Sequence, residues 1–367
     1  MFVRTALCLI LFTVGVGLGA EFRTQNIVLV TADGLRWQDL FAGMDPLLEA
    51  HPDAGMEKAQ TVRDRFNAPT PEERRRKLLP FFWTTLSQQG VLLGNRKIGS
   101  RVNTRNTHRF SYPGYSEILT GRPQDDVIDS NDNRPNPIAT VLEILKRELE
   151  LPRERVALFG SWEVFSGIGA SQPGSIFINA GYAALEVAGL SDRLQRLSED
   201  QFSLLTPWDT VRHDYSTFEM ALEYLKTVKP RVLYIALGET DDWAHSRRYD
   251  RTMQTANYFD QSVERLWNAI ESDAHYRGST TIILTTDHGR GSAPDDWNGH
   301  GIKVDGAEAI WIAAIGPDTP PLGEIESSLE VTQSDVAPTI LKLMGLDPGL
   351  LGPGAGQPIQ FVAPDAR

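Results

Sequence analysis

Seven side chains in this sequence have the types and spacing to hold divalent cations beside an oxygen nucleophile. Asp33-Gly34 closes the apolar run Asn26-Ile-Val-Leu-Val-Thr-Ala. Asp241 and His245 follow a second run, Val232-Leu-Tyr-Ile-Ala-Leu, and their i, i+4 spacing puts both on one face of a helical turn. Asp287-His288-Gly289 ends a third run, where the glycine gives the freedom for the sharp turn that adjacent ligands require. His300 stands between Gly299 and Gly301, so its imidazole can approach an ion closely. Carboxylates and imidazoles are the ligands of zinc and similar ions. The seventh residue is Ser111, two positions ahead of Pro113. Proline suits the first turn of a helix. Ser111 then falls in the N-cap region, where backbone N–H groups and the helix dipole favour an anion such as a phosphoryl oxygen. A hydroxyl is inert at its free pKa, but coordination to a metal converts it to an alkoxide without a separate base.

These segments span roughly 270 residues, so the fold must bring them together. Continuous, largely β-branched runs at 26–32, 155–160, 175–178, 231–237, 280–286 and 309–316 read as strands buried on both faces. Helical patterns at 138–149, 217–228, 254–271 and 335–344 alternate with them. Strand–helix alternation predicts an α/β fold, a doubly wound, mostly parallel sheet with helices on both faces. Such sheets bind ligands outside the carboxyl ends of their strands, where Asp33, Asp241 and Asp287 fall. Residues 43–78 and 180–212 break the pattern and are expected as cap insertions on a single catalytic domain, 21–367. The charged 43–78 stretch reads as solvated helix or loop that could form part of a substrate lid.

With 367 residues the chain can bury a full core, and its net charge of −12, with no basic stripe, argues against a nucleic-acid polymer as partner. Residues 1–20 have the layout of a secretory signal: Arg4, a short apolar run and small residues at Gly19-Ala20. The expected location is therefore periplasmic or extracellular, with no stable membrane span after cleavage. Cys8, the only cysteine, lies inside that segment, which excludes cysteine nucleophiles and thiolate metal sites from the mature chain. His51, His108, His213 and His275 lie in charged or irregular stretches and read as surface residues, with His108 the one to watch.

In this order, a strand-end Asp, a Ser before an aromatic-Pro turn, Asp-x-x-x-His, Asp-His-Gly and a late His resemble the alkaline phosphatase superfamily. Within it the sequence looks most similar to the nucleotide pyrophosphatase/phosphodiesterase-like branch. The resemblance covers about 26–345, and Ser334-Asp-Val-Ala-Pro-Thr-Ile-Leu is similar to the family's closing helix. It implies that Asp33, Ser111, Asp287 and His288 hold one ion and that Asp241, His245 and His300 hold the other. It further implies in-line attack by Ser111 on phosphorus, a phosphoseryl intermediate and hydrolysis by water. Asn131 resembles the family asparagine that donates to a non-bridging oxygen, with Asn133 competing for that role. Imidazole nitrogen in both sets favours zinc, with manganese or iron as other candidates.

Two departures narrow the resemblance. Three-ion alkaline phosphatases carry a glutamate where this chain has Ala236, which puts a third site in doubt. Sulfatases of the superfamily need an arginine where this chain has Tyr115, which favours an unmodified serine. The expected function is an exported two-metal hydrolase of phosphate mono- or diesters acting on a small-molecule substrate. A sulfate-ester or phosphonate hydrolase and a non-catalytic metal-containing binding protein are the alternatives. Trp37, Tyr112, Trp162 and Trp243 lie near the motifs and could stack on a leaving group, although core packing is the commoner fate of such residues.

Overall fold

The central strands are buried because both of their faces are apolar. In the computed structural model, which describes residues 22–185 and 189–365, the first strand β1 (Asn26–Ala32) sends Val28, Val30 and Ala32 into one core cluster and Ile27 and Leu29 into another. The expected signal segment and Cys8 lie outside the described residues. Further strands are β2 (Val91–Leu93), β3 (Arg101–Asn103), β4 (Val156–Gly160), β5 (Phe177–Ala180), β6 (Val232–Leu237), β7 (Thr280–Thr285), β8 (Ala309–Ile310), β9 (Ile312–Ile315), β10 (Gly323–Glu324) and β11 (Glu330–Thr332). Among the described residues, eight of them form one sheet in the order β10-β2-β9-β7-β1-β6-β4-β5. The run from β7 to β5 is parallel, with Ile27 opposite Val232 on one side and opposite Thr281 on the other. β9 enters antiparallel to both β7 and β2.

Helices cover both faces. Residues of Asp214–Val228 and Tyr249–Ser272 join the first cluster, and residues of Ser111–Thr120, Val141–Glu148 and Val336–Leu343 join the second. This is the doubly wound α/β architecture that the alternation predicts. A three-stranded sheet, β11-β3-β8, flanks it.

The expected strand 309–316 divides at Trp311, whose indole N–H donates to the Leu35 carbonyl at 2.8 Å and whose ring is wedged against Phe82 and Phe259. The polar stretch 43–78 is a docked block. Its helices Gln60–Phe66 and Pro71–Leu78 bury Val62, Phe66 and Leu78 in the main core. They are tied to the long helix through Arg65 to Asn257 (2.8 Å) and Asn257 to the Leu78 carbonyl (2.8 Å). Arg74 is buried beside Leu78 and Arg75 lies over the Trp83 ring at 3.5 Å, so part of the charge docks with the apolar residues and composition alone hid the contact.

Candidate active site

β7, β1 and β6 lie side by side, so the residues that follow them emerge at one edge of the sheet. Asp33 follows β1, Asp287 and His288 follow β7, and the helix Glu239–His245 follows β6. The turn after β1 depends on Gly34, whose φ of 55° is left-handed and whose missing Cβ leaves room for Arg290 and Asp241. The Gly34 N–H donates to Asp287 Oδ1 at 3.0 Å, and Thr240 Oγ1 donates to the Asp33 carbonyl at 2.5 Å.

Two groups of acceptors converge here. In the first, His288 Nε2 lies 3.3 Å from Asp33 Oδ1 and 3.4 Å from Asp287 Oδ2. His288 Nδ1 donates to the Gly289 carbonyl at 3.0 Å, so Nε2 is the nitrogen that would give up its proton to a bound ion. All three converging atoms are buried and have no hydrogen-bond partner among the described residues. Buried acceptors facing one another call for positive charge between them. Burial, and then the Asp33 charge, raise Asp287 to about 8. Burial works against charge on His288, but the Asp287 and Asp33 carboxylates overcome it and raise it to about 9. The donor chemistry fits a divalent ion.

In the second group, His245 Nε2 lies 3.1 Å from Asp241 Oδ2 and 2.9 Å from His300 Nε2. His300 Nε2 is 3.8 Å from Asp241 Oδ1. His300 Nδ1 donates to the Arg109 carbonyl at 3.2 Å, leaving Nε2 as the acceptor. Burial lowers both rings, His300 far below the usual histidine range, with the nearby His288 adding to the effect. Neutral imidazoles beside a carboxylate fit a second ion. His288 and His300 stack with ring centres 3.9 Å apart, so the two groups adjoin.

Ser111 is the first residue of the helix Ser111–Thr120, with Phe110 at the cap, so Pro113 falls in the first turn as expected and Ser111 sits one position inside the cap. The helix reaches the end of β7 because residue 114 is glycine; a Cβ there would collide with the Asp287 carbonyl. Tyr115 on the same helix donates to Asp33 Oδ2 at 2.9 Å. Asn131 Oδ1 accepts the Tyr112 N–H at 3.0 Å, which leaves the side-chain amide group free to donate. Asn133 instead accepts from Ser166 at 3.0 Å.

A cavity of about 280 Å³ opens onto these groups. Asp33, Ser111, Asn131, Asp241, His245 and His300 line it, together with Trp162, Trp208, Thr210, Val211, Gly238 and Asp242. No lysine or arginine is among them. Thus 180–212 supplies three lining residues, and the 43–78 block supplies none. Of the four candidate aromatics, Trp162 lines it and Trp243 packs edge-on to Trp208 at 4.8 Å. Tyr112 is buried with its hydroxyl on the Arg134 carbonyl, and Trp37 packs against the main core.

His108 faces the Asp125 carbonyl at 3.2 Å and does not reach the cavity. His213, expected at the surface, is half-buried with Nδ1 2.6 Å from Glu239, and that bond raises its pKa. Glu239 is thereby engaged, and Ala236 lies within β6. Burial, and the charges of Asp33, Asp214 and Glu239, hold Asp242 well above the carboxylate range. Trp208, Asp242 and Arg290 were not singled out from the sequence. Arg290, buried, bonds Asp241 and the Gly34 carbonyl (3.0 Å); its position one residue beyond His288-Gly289 was the available signal.

Residues 207–348 match a family model described as the Metalloenzyme superfamily. No curated protein matches the sequence. Among solved structures, a phosphonate monoester hydrolase from Silicibacter pomeroyi superposes with a TM-score of 0.56 at 14% identity, covering 94% of this chain and 78% of that one. A mutant of the alkaline phosphatase PafA gives 0.58 at 10% identity, covering 94% and 99%. The lipoteichoic acid synthase LtaP from Listeria monocytogenes gives 0.54 at 11% identity, covering 94% and 76%. The family match over 207–348 and the shared fold of these structures agree with the resemblance to the alkaline phosphatase superfamily.

Proposed function

We propose that the chain is a two-metal hydrolase of phosphate esters in which Ser111 is the nucleophile. The reading rests on one observation: the unpartnered acceptors of Asp33, Asp287 and His288 converge against the first turns of the helix that carries Ser111, where Gly114 packs on Asp287 and Tyr115 bonds Asp33. Asp33, Ser111, Asp287 and His288 would hold one ion, and Asp241, His245 and His300 the other. Bound there, the ions would supply positive charge to the attacking and leaving oxygens. Ser111 Oγ loses its proton and bonds to phosphorus as the bond to the leaving alcohol breaks, and water then hydrolyses the phosphoseryl ester. The Asn131 amide donates to a non-bridging oxygen. Zinc suits both sets because each contains imidazole.

Diesters are the favoured class. Among the described residues no cationic side chain lines the cavity to share the charge of a monoester dianion through charge-assisted hydrogen bonds. A diester carries a single charge and a second ester group, which Trp162 and Trp208 can seat. Export is proposed from the composition of residues 1–20; cell fractionation that leaves the protein in the cytoplasm with that segment retained would count against it.

Parallel rates with bis-p-nitrophenyl phosphate, p-nitrophenyl phosphate, p-nitrophenyl sulfate and a phosphonate monoester rank the reactions, and the diester should lead. Faster sulfate or phosphonate turnover overturns the substrate assignment. Ser111→Ala should reduce turnover to background while metal analysis still finds close to two ions per chain, as in the parent. Unchanged turnover removes Ser111 as nucleophile, and a parent protein that binds two ions yet hydrolyses none of these esters favours the binding-protein reading.

A further inference from the structure

Glu117 is buried on the helix that carries Ser111, and no cationic side chain pairs with it among the described residues. Its Oε1 accepts from Ser334 Oγ (2.7 Å) and the Arg105 N–H (3.0 Å). Its Oε2 accepts from the Asn106 N–H (2.7 Å) and the Asn106 side-chain amide (2.8 Å). A buried carboxylate held only by neutral donors is a costly way to stabilise a fold, and an apolar residue would serve packing alone better.

The bonds lead outward to both groups of expected ligands. Asn106 Oδ1 accepts the Arg109 N–H at 2.8 Å, and Arg109 sits at φ 54°, a left-handed conformation that costs energy for any side chain but glycine. The Arg109 carbonyl is the group that accepts from His300 Nδ1. On the other side, the Asn106 amide lies 3.4 Å from Gln333 Oε1, and Gln333 Nε2 donates to the Asp287 carbonyl at 2.6 Å and the Thr286 carbonyl at 3.0 Å. One buried hub thus joins the nucleophile helix, the strand end at Asp287 and the loop that orients His300.

We propose that Glu117, through Asn106, is a positioning residue that sets the tautomer and aim of His300 and fixes the Asp287 peptide, so that two ion sites assemble in register with Ser111. Neither residue touches substrate; each acts through the partner of a ligand. The strained Arg109 peptide is the working part, since its carbonyl points at His300 only while Asn106 holds its N–H. Outer partners of metal-bound histidines commonly carry 10–100-fold in metal affinity. The inference rests on the two-metal reading above, and the test separates the two.

Zinc is titrated calorimetrically into the metal-free parent, Asn106→Ala, Glu117→Gln, the double variant Asn106→Asp/Glu117→Gln, and Leu119→Ala as a packing control on the same helix. The parent should bind two ions. Asn106→Ala and Glu117→Gln should each weaken one ion about 10–100-fold, with kcat falling more than KM changes. The double variant, which restores a donor opposite an acceptor, should recover part of that affinity. Leu119→Ala should lower the melting temperature without weakening either ion selectively. A parent that binds no ions overturns the metal reading and this proposal with it. Two ions in the parent and unchanged zinc affinity in both single variants overturn the hub alone, as does a loss in Leu119→Ala equal to theirs.

Discussion

The guanidinium of Arg290 lies buried between strand ends, bonded to Asp241, to the Gly34 carbonyl at 3.0 Å and to the Asn298 carbonyl at 2.6 Å. It places a fixed positive charge behind one group of expected ligands and leaves the other carboxylate oxygen toward His245. Removing one member of a buried ion pair commonly costs about 3–5 kcal/mol, because the remaining charge is left uncompensated. Arg290→Ala should lose stability of that order when metal-free, and less with zinc present, since an ion on Asp241 offsets the lost charge. Urea unfolding with and without zinc measures the difference, and an equal loss in both would show that the arginine acts only on the fold. At this scale Asp33, Asp241, Asp287 and their histidines were legible because they sit at the ends of apolar runs. Arg290, Trp208 and Asp242 were not, because Trp208 and Asp242 reach the cavity, and Arg290 reaches Asp241 behind it, only through tertiary approach. Asp242 adjoins a motif residue but carries no spacing signal of its own.

Among the elements, the long helix Tyr249–Ser272 does more than cover the sheet. Its Asp260 accepts the N–H groups of Phe81 and Phe82, both at 2.9 Å, and so caps the turn that carries Trp83 and Leu86 into the core. Burial raises Asp260 to about 7, against two N–H bonds that oppose the shift. A carboxyl raised on folding contributes stability that is present below its unfolded pKa and is lost as pH rises through the folded value. Its contribution therefore falls between about pH 4 and pH 7. Asp260→Asn removes that titration, so its melting temperature should change less than the parent's across this window. Parallel melting curves for the two proteins would remove Asp260 as the source. Long elements were readable in advance: β1 and β6 are continuous apolar runs, and the long helices carry a regular apolar period. β2, β3, β10 and β11 are two or three residues each and leave no period to read. The block at 43–78 failed for a different reason, since its charges outnumber the few apolar residues that dock it.

At the scale of the whole molecule, the order β7-β1-β6 means that β1 is flanked by two strands that are made much later. Ile27 pairs with Val232 and Thr281, and Thr24 Oγ1 reaches Thr281 Oγ1 at 2.7 Å and Asp318 Oδ2 at 2.7 Å. Gly34 therefore meets Asp287 only after the chain has closed a loop of 253 residues. Such distant pairings are slow to form and leave apolar strands exposed meanwhile. A fragment ending at residue 230 should show no cooperative unfolding transition and should be cut rapidly by protease, which circular dichroism and limited digestion would register. A cooperative transition in that fragment would show that β4 and β5 organise without β6. The placement of β1 also bears on synthesis: a ribosome must pass residue 232 before β1 has a neighbour, so the nascent protein spends that interval dependent on whatever shields Ile27, Val28, Leu29 and Val30 from solvent and from other chains.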